Sequence, residues 1–389
     1  MTQIIEFGND SLAILNDFLI KKSPKSILLV TGKNSYKSCG AQSILEKILI
    51  NYTFTRFFDF EENPKIEDVV IGVKIFNQIN SDLIIAVGGG SVIDMAKLIN
   101  FFNKKKHPFI NHFSSSLNNK EIVPFVAIPT TSGTGSEATH FAVVYSNKKK
   151  YSLANNLLLP SLVCIVPKFT YKINTYLTAV TAIDALSQAI ESFWNVNSNE
   201  ESLKYAEDSI RIIWKHLPKV LKENNKLDRD MISKASLLSG KAINITKTTA
   251  PHAFSYFLTN KFGVPHGHAV AITLPFFCRY NNEITFKTNN DKRGFKFVKN
   301  KIESISSILN IRSEMLETVL QNFLLKLELT IDFKELENFQ VLVEEWKQNV
   351  NFERLKNNPR KVESSVWLEL SEYLLKNSII SHNLNNKTP

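Results

Sequence analysis

The first 165 residues alternate short apolar runs with amphipathic stretches. Apolar runs that are typical of buried strands cover residues 26–32, 82–90, 122–131 and 162–167. Between them, apolar positions recur at helical spacing over 66–79 and 91–102. Because strands that alternate with helices form parallel sheets, this part of the chain predicts an α/β domain.

From about residue 177 the pattern changes to long stretches with apolar positions three or four residues apart. These stretches cover 178–194, 200–223, 228–247, 268–280, 298–309, 313–326 and 363–376. This spacing indicates helices that bury one face. We therefore predict two domains, an α/β domain over 1–170 and an all-α domain over 171–389.

Composition narrows the class of protein. No apolar run of the 389 residues approaches the ~20 residues that cross a bilayer. The first residues lack a basic segment followed by an apolar one, so we do not expect secretion. Cys39, Cys164 and Cys278 lie far apart with no CxxC pair. This cysteine pattern predicts reduced thiols and a cytoplasmic protein.

The chain is basic, with 47 Lys and Arg against 37 Asp and Glu and a net charge of +10. The excess is spread thinly, without the interleaved aromatic residues that stack on bases. We interpret it as a solvated surface and expect neither a nucleic-acid nor a membrane partner.

Two predicted strands end in turns of small residues. The first runs Gly88-Gly89-Gly90-Ser91 into a helix, and the second is an eight-residue polar stretch from Thr130. Glycines let a phosphate approach the backbone at a helix N-terminus. For the glycine motif alone, a tight structural turn is the alternative. Together they predict a nucleotide site at the carboxyl edge of the sheet. The candidate cofactor-binding residues here are Gly88, Gly89, Gly90, Ser91, Asp94, Thr130, Thr131, Thr134 and Ser136.

The helical half carries residues of the types that bind metals. Asp184 and Gln188 are four residues apart on one predicted helix face, and His252, His266 and His268 fall within seventeen residues. Carboxylate, amide and imidazole groups could enclose Fe²⁺, Zn²⁺ or Mn²⁺. From the residues alone, core histidines and an ion-paired aspartate remain the alternative.

These motifs resemble those of a known family, the iron-dependent (group III) alcohol dehydrogenases, which are related to glycerol dehydrogenase and dehydroquinate synthase. The matching segments come in family order and span nearly the whole chain. They are GGGSVIDMAK (88–97), IPTTSGTGSEAT (128–139), LTAVTAIDALSQAIESF (177–193), PHAFSYFLTNKFGVPHGHAVA (251–271) and NNPR (357–360).

The resemblance implies the dehydroquinate synthase-like fold, with an α/β nucleotide-binding domain, an all-α metal- and substrate-binding domain and a cleft between them. It also implies hydride transfer between NAD(P)H and a carbonyl polarised by the metal, and a homodimer. The chemistry is coherent, since a Lewis acid stabilises a developing alkoxide while the cofactor supplies the hydride.

The family's metal ligands map onto this chain with one exception. Asp184, His252 and His266 match ligands, and the two histidines keep the family's fourteen-residue separation. Gln188 stands where the family usually has a histidine, so the metal, Fe²⁺ or Zn²⁺, stays open. Tyr256 stands where many members carry a proton-relaying histidine, and it either donates a proton or packs. His268 is a second candidate relay.

The resemblance also bears on cofactor choice. NAD-preferring members carry an aspartate directly after the first-strand VT, and this chain has Gly32 there, followed by Lys33 and Ser35. The loss of a carboxylate and the gain of donors favour NADPH, with NADH as the alternative. Lys150 resembles the family lysine near the cofactor.

A polar segment, Lys247-Thr248-Thr249, precedes His252 and suits an anionic substrate head group. The combined motifs resemble the phosphonoacetaldehyde reductase subgroup, which reduces phosphonoacetaldehyde to 2-hydroxyethylphosphonate. The alternative activities are those of a general alcohol dehydrogenase or a maleylacetate-type reductase. The alternative for Lys247 is that it only faces solvent and does not bind substrate. A dehydroquinate-synthase-like lyase would need a more basic pocket, and a non-enzymatic nucleotide-binding scaffold would show no turnover.

Overall fold

The structure is a computed structural model, and it describes residues 3–103, 122–146, 149–331, 333 and 343–385. The chain divides into two compact units. The first comprises Met1–Asn174 together with Glu223–Gly240, and the second comprises Thr175–Lys222 and Lys241–Pro389. The segment Glu223–Gly240, which the sequence analysis includes in the helical domain, is thus grouped with the α/β unit.

The first unit is built on a parallel sheet. Its strands are β1 (Ile4–Phe7), β2 (Ile27–Thr31), β3 (Phe54–Phe57), β4 (Leu83–Gly88), β5 (Phe125–Pro129) and, after the hairpin of β6 (Phe141–Ser146) and β7 (Lys149–Ala154), β8 (Leu162–Ile165). The six parallel strands lie in the order β1-β8-β5-β4-β2-β3. The sheet helices are α1 (Ser11–Lys22), α2 (Ser35–Ser38), α3 (Ala41–Ile48), α4 (Ile66–Gln78) and α5 (Gly90–Phe102).

Every residue of β2, β4, β5 and β8 is buried. Helices cover both faces of a parallel sheet, so its central strands are apolar throughout instead of alternating. One core cluster joins β4 to α4 and α5, and another joins it to α1 and α3. The continuous apolar runs in the sequence follow from this two-sided burial.

The second unit is helical. Its elements are α6 (Thr175–Trp194), α7 (Glu200–Glu223), the last turns of α8 (Lys226–Thr246), α9 (Ala250–Phe262), α10 (His266–Asn282), α11 (Phe295–Ile308), α12 (Leu316–Lys326), α13 (Val343–Asn349), α14 (Phe352–Leu355) and α15 (Val366–Asn385). Buried aromatic side chains of α9, α10, α13 and α15 form its core, including Phe254, Trp346 and Trp367. The predicted α/β-plus-helical fold class is confirmed.

The segment 226–240 of α8 packs against the loop that follows β5. The hydroxyls of Ser132 and Ser233 are 2.8 Å apart. Gly135, with φ 60°, lies against Gly240, and a methyl group added to Gly135 would fall 2.4 Å from the Gly240 Cα. Only glycine tolerates this approach in the left-handed conformation. The first unit therefore needs a helical segment, Glu223–Gly240, that begins about fifty residues after Asn174, where the rest of the unit ends.

In the part of the chain that the structure describes, no helix combines the length and the apolar character needed to cross a membrane.

Candidate active site

Three side chains of types that bind metals lie together in the second unit. Asp184 is on α6, His252 on α9, and His266 is the first residue of α10. Their ligand atoms all lie within 4.8 Å of one another, and His252 Nε2 is 3.2 Å from Asp184 Oδ1. A carboxylate with two imidazoles is a donor set that suits Fe²⁺ or Zn²⁺. The residues present therefore fit the metal that the resemblance implies.

Glu191, two turns after Asp184 on α6, orients one of these histidines. Its carboxylate accepts a hydrogen bond from His252 Nδ1 and two more from Thr249, from the backbone N–H at 2.5 Å and from the hydroxyl at 2.8 Å. Glu191 is fully buried. When Nδ1 is held by a carboxylate, the ring is fixed and Nε2 is the nitrogen left to coordinate. The sequence analysis missed this residue.

The two carboxylates change the titration of His252. Burial lowers its pKa, but the charges and hydrogen bonds of Glu191 and Asp184 outweigh burial and raise the pKa to about 9. Without a metal, His252 is therefore protonated at neutral pH, because the two carboxylates favour positive charge at this site.

Gly267 lets α10 approach α6 closely. A methyl group added there would lie 2.2 Å from the Val180 carbonyl oxygen and 3.0 Å from the Asp184 Cβ. Helix backbones come this close only where a residue lacks a side chain. The glycine between His266 and His268 therefore brings His266 to Asp184.

Gln188 is buried one turn after Asp184, on the same face of α6. Tyr256, one turn after His252 on α9, stacks on His266 with ring centroids 5.7 Å apart and planes at 23°. Burial raises the pKa of Tyr256, and Arg354 of α14 opposes this through its charge and a hydrogen bond to the phenol. The phenol therefore stays protonated at neutral pH beside a candidate ligand.

His268 has different neighbours. Its Nδ1 is 3.1 Å from the hydroxyl of the half-exposed Tyr176, and the rings meet edge to face. Burial lowers the pKa of His268 to about 4, so the ring is neutral near pH 7. It lies outside the group of Asp184, His252 and His266.

The predicted substrate segment forms the turn between α8 and α9. Lys247 is exposed with φ 62°, and its charge acts on Glu353 of α14. Thr248 is 3% exposed, and its hydroxyl has no hydrogen-bond partner in the described structure. The Thr249 hydroxyl is engaged, since it donates to Glu191 and accepts from Trp194 Nε1. Thr249 therefore acts on the candidate metal site through Glu191.

In the first unit, the glycine turns occupy the carboxyl edge of adjacent strands. β4 and β5 pair in register from Ile84 with Phe125 to Gly88 with Pro129, and the Thr130 N–H donates to Gly88 O at 3.0 Å. The two turns then pack together. Added methyl groups at Gly89 and Gly90 would fall 3.2 Å and 2.7 Å from the hydroxyls of Thr131 and Thr134.

The strand order places these turns at a switch point. The chain runs outward from β2 to β3 and then returns to β4 on the other side of β2. Ligands of open α/β sheets bind in the crevice at such a point. Gly32 follows β2 and Gly88 ends β4, so both flank it. The half-exposed Gly90 begins α5 there, and Ser91 Oγ accepts from the Asn63 N–H at 3.1 Å.

Asp94 and Lys97 of α5 form hydrogen bonds with the polar segment that follows β5. The Lys97 ammonium, fully buried, donates to Ser136 O at 2.6 Å, Thr139 O at 2.9 Å and Phe141 O at 2.8 Å. The Asp94 carboxylate accepts from Ser136 Oγ at 2.5 Å. Asp94 and Ser136, predicted to bind the cofactor, thus shape the loop. The role of Lys97 was missed.

Burial sets the protonation of this pair. It raises the pKa of Asp94, against the charges of Lys97 and, further away, Lys150 on β7. It lowers the pKa of Lys97 to about 8, against the charges of Asp94 and Glu137. The sequence analysis assigned Lys150 to the cofactor, and the structure places it where its charge reaches Asp94.

Arg56, on β3 beside β2, is a further residue that the sequence analysis missed. Its guanidinium donates to Thr31 Oγ1 at 2.7 Å and to the carbonyl oxygens of Gly32 and Lys33 at 3.1 and 3.2 Å. Lys33 is exposed and lies 3.7 Å from Asp59. The end of β2 therefore carries two cations and one nearby exposed carboxylate.

Comparisons with known protein families show which family the chain belongs to. Residues 2–167 match the model of the iron-containing alcohol dehydrogenases, and residues 178–370 match the C-terminal model of the same family. The chain belongs to the iron-containing alcohol dehydrogenase family. Members are oxidoreductases, and Asp184, His252 and His266 all fall in the C-terminal match.

Individual members of the family resemble the chain at moderate identity. Aldehyde-alcohol dehydrogenase 2 of Entamoeba histolytica is 32% identical over 58% of the chain, which spans only 28% of that longer protein. Phosphonoacetaldehyde reductase of Streptomyces viridochromogenes is 27% identical over 73% of the chain and 74% of its own length.

One solved structure is similar to this chain over nearly its whole length. The sulfoacetaldehyde reductase of Bifidobacterium kashiwanohense, crystallised in complex with NAD⁺, superposes with a TM-score of 0.85 at 25% identity. The superposition covers 96% of this chain and 97% of that one.

Proposed function

We propose that the protein catalyses the metal-dependent, NAD(P)H-linked reduction of a small anionic aldehyde, with phosphonoacetaldehyde to 2-hydroxyethylphosphonate as the leading reaction. The observation that carries this is the group of Asp184, His252 and His266, in which Glu191 holds His252. When bound, a divalent metal supplies a Lewis acid for the carbonyl and the nicotinamide supplies the hydride.

The chain's own residues divide the remaining work. Asp184, His252 and His266 bind the cation, and the buried amide of Gln188 adds an oxygen ligand one turn from Asp184. Tyr256 donates the proton to the carbonyl oxygen, because its buried phenol is protonated at neutral pH and stacks on His266. This geometry favours Tyr256 over His268, whose ring pairs with Tyr176.

The first unit binds the cofactor. The N-terminus of α5 after Gly88-Gly89-Gly90 receives the pyrophosphate, since first-turn N–H groups and the helix dipole favour an anion. We propose NADPH as the preferred cofactor, because Lys33 and Arg56 lie beside Gly32 at a position without a carboxylate of its own. The exposed Asp59 near Lys33 leaves room for NADH as a second cofactor.

Two relatives support an acidic substrate, since the names of both specify an aldehyde that carries an acidic group. In this chain the sequence assigns Lys247, Thr248 and Thr249 to such a group, and of these Thr249 is engaged by Glu191. The second candidate function is a general alcohol dehydrogenase or maleylacetate-type reductase. It is favoured by the higher identity of 32% to the Entamoeba enzyme, whose name specifies no acidic group.

We propose a cytoplasmic location and a homodimer. Cys39, Cys164 and Cys278 are free thiols, as a reducing cytoplasm requires. The homodimer rests on the family resemblance alone and stays a prediction, tested by the mass of the protein in solution.

The decisive experiment follows NADPH and NADH oxidation with phosphonoacetaldehyde, sulfoacetaldehyde, succinic semialdehyde and propanal, using protein loaded with Fe²⁺ or Zn²⁺. We expect turnover with the acidic aldehydes and its loss with a chelator. Asp184→Ala and His266→Ala should abolish turnover and leave cofactor binding largely intact, whereas Asp208→Ala, at an exposed carboxylate, should change neither. Unchanged turnover in both ligand variants would refute the proposal.

A further inference from the structure

A buried arginine lies next to the candidate catalytic tyrosine. Arg354 is 7% exposed on α14, and its guanidinium donates a hydrogen bond to the phenol of Tyr256. Tyr256 also feels the charges of Glu191 and Asp184. The charge of Arg354 and those of the two carboxylates near the candidate metal site therefore all act on the Tyr256 hydroxyl.

The same region meets the turn before α9. Asn357, three residues after Arg354, donates from Nδ2 to the Thr248 carbonyl oxygen at 3.0 Å. The charge of Lys247 acts on Glu353, the neighbour of Arg354. The Thr248 hydroxyl is buried and makes no hydrogen bond with any described residue. An unpaired buried hydroxyl costs free energy that a ligand oxygen can recover.

These groups match the chemistry of an acidic head group. A guanidinium binds a phosphonate, sulfonate or carboxylate through two parallel N–H donors, and a threonine hydroxyl adds a third. Lys247 adds positive charge at the exposed side of the turn. We propose that Arg354 determines specificity by binding the anionic head group of the aldehyde, with the Thr248 hydroxyl as a second donor. This inference rests on the proposed function and names the residue that selects its substrate class.

The competing role for Arg354 is purely to position Tyr256. The two roles differ in their substrate dependence. Loss of a positioning residue slows the reduction of every aldehyde, because Tyr256 serves them all. Loss of a head-group ligand raises the KM for charged aldehydes alone and leaves kcat for neutral aldehydes unchanged.

The test compares Arg354→Gln and Arg354→Lys with the wild-type holoenzyme on phosphonoacetaldehyde, sulfoacetaldehyde and propanal. We expect the Gln variant to lower kcat/KM for the two acidic aldehydes by roughly 10- to 100-fold more than for propanal, whose reduction reports the lost hydrogen bond to Tyr256. The Lys variant should keep part of the preference, since it retains the charge but loses the paired donors. Lys356→Gln is the matched control, because it removes an exposed charge two residues away.

A binding measurement makes the test independent of turnover. Calorimetry with 2-hydroxyethylphosphonate, on metal-loaded and on chelator-treated protein, should show at least about tenfold weaker binding in Arg354→Gln in both states. Thr248→Val should weaken this binding less than the arginine variant does. If the Gln variant does not fold, the Lys variant decides by the same comparison.

The outcomes separate this inference from the proposed function. If wild type prefers acidic aldehydes and Arg354→Gln keeps that preference, or loses activity equally on propanal, Arg354 is not the head-group ligand. If wild type shows no preference for acidic aldehydes, the anionic substrate class is wrong and the role of Arg354 falls with it.

Discussion

Glu191 binds Nδ1 of His252 and thereby presents Nε2 to Asp184, although Glu191 itself lies outside the group of candidate ligands. Glu191→Gln keeps the size of the side chain but removes the charge and half of the acceptor capacity. We expect metal affinity to fall about 10- to 100-fold, as for other outer-shell carboxylates. Metal titration of the purified variant measures this, with Glu201→Gln at an exposed carboxylate of α7 as control. Equal metal affinity in the Glu191→Gln and Glu201→Gln variants would show that Glu191 does not support metal binding.

Metal binding should release a proton from His252. Its pKa is raised from 6.5 to about 9, so the folded, metal-free protein holds this proton at pH 7 and must lose it to coordinate. Apparent metal affinity should therefore rise about tenfold per pH unit up to pH 9 and then level off. The protonated His252, held by the charges of Glu191 and Asp184, also stabilises the metal-free fold below pH 6.5. This contribution to the free energy of unfolding disappears as the pH passes 9. Calorimetry in buffers of different ionisation enthalpy counts the proton, and a count near zero at pH 7 contradicts the assignment.

Gly267→Ala should damage the metal site without touching a ligand. The added methyl group would meet the Val180 carbonyl oxygen at 2.2 Å, so α10 must move away from α6 and carry His266 with it. Overpacking of this kind costs about 1–3 kcal/mol of folding free energy. We expect a lower Tm and weaker metal binding, and unchanged NADPH binding serves as the internal control. Wild-type metal affinity in this variant would show that the close approach is not required.

Gly32→Asp should shift cofactor choice towards NADH. A carboxylate at the end of β2 repels a 2′-phosphate and accepts from the ribose hydroxyls. The new Cβ would meet the Ser35 hydroxyl at 2.1 Å, a flexible group that can rotate away, and Gly32→Ala reproduces this contact without the charge. We expect KM for NADPH to rise far more than KM for NADH in the Asp variant only. An equal change in both constants, or the same shift in the Ala variant, argues against discrimination at this position.

Lys97→Met should weaken cofactor binding from beneath the second turn. The substitution leaves the carbonyl oxygens of Ser136, Thr139 and Phe141 without their buried donor, at a cost of about 1–3 kcal/mol for each group left unpaired. We expect a lower Tm and an NADPH Kd at least about tenfold higher, measured by fluorescence titration. Lys74→Met, at an exposed position of α4, should change neither quantity. Normal NADPH binding in Lys97→Met would confine its role to stability.

The fold class could be predicted from the sequence because buried strands and helix faces appear as regular patterns of apolar residues along the chain. β2, β4, β5 and β8 are apolar throughout, and the long helices of the second unit repeat apolar positions at helical spacing. β1, β3 and the hairpin of β6 and β7 were missed. β3 and β7 mix polar and apolar residues without clear alternation, as Phe54–Phe57 and Lys149–Ala154 show, and β1 is only four residues long. A partly buried strand of this kind resembles a loop in sequence.

The candidate site was predicted where spacing along one helix or a quoted motif carried the information. Asp184 and Gln188 share a helix face, and His252 and His266 lie in the first turns of neighbouring helices. Glu191 lies only three residues after Gln188, but nothing in the sequence separates a buried carboxylate from a solvated one. Its role depends on the turn at Thr249, which reaches it only in the folded chain. Arg56 was missed for the same reason, because β3 lies beside β2 only within the sheet.

The contact between Gly135 and Gly240 has a consequence for biosynthesis. The loop after β5 has no support from residues 226–240 until the ribosome has also made α6 and α7, which belong to the other unit. When the amino-terminal half folds during synthesis, the candidate nucleotide site therefore stays incomplete until residues 226–240 have been made. A gene fragment ending near residue 174 should yield a polypeptide that binds NADPH poorly, and supplying the missing helix as a separate peptide should restore the affinity.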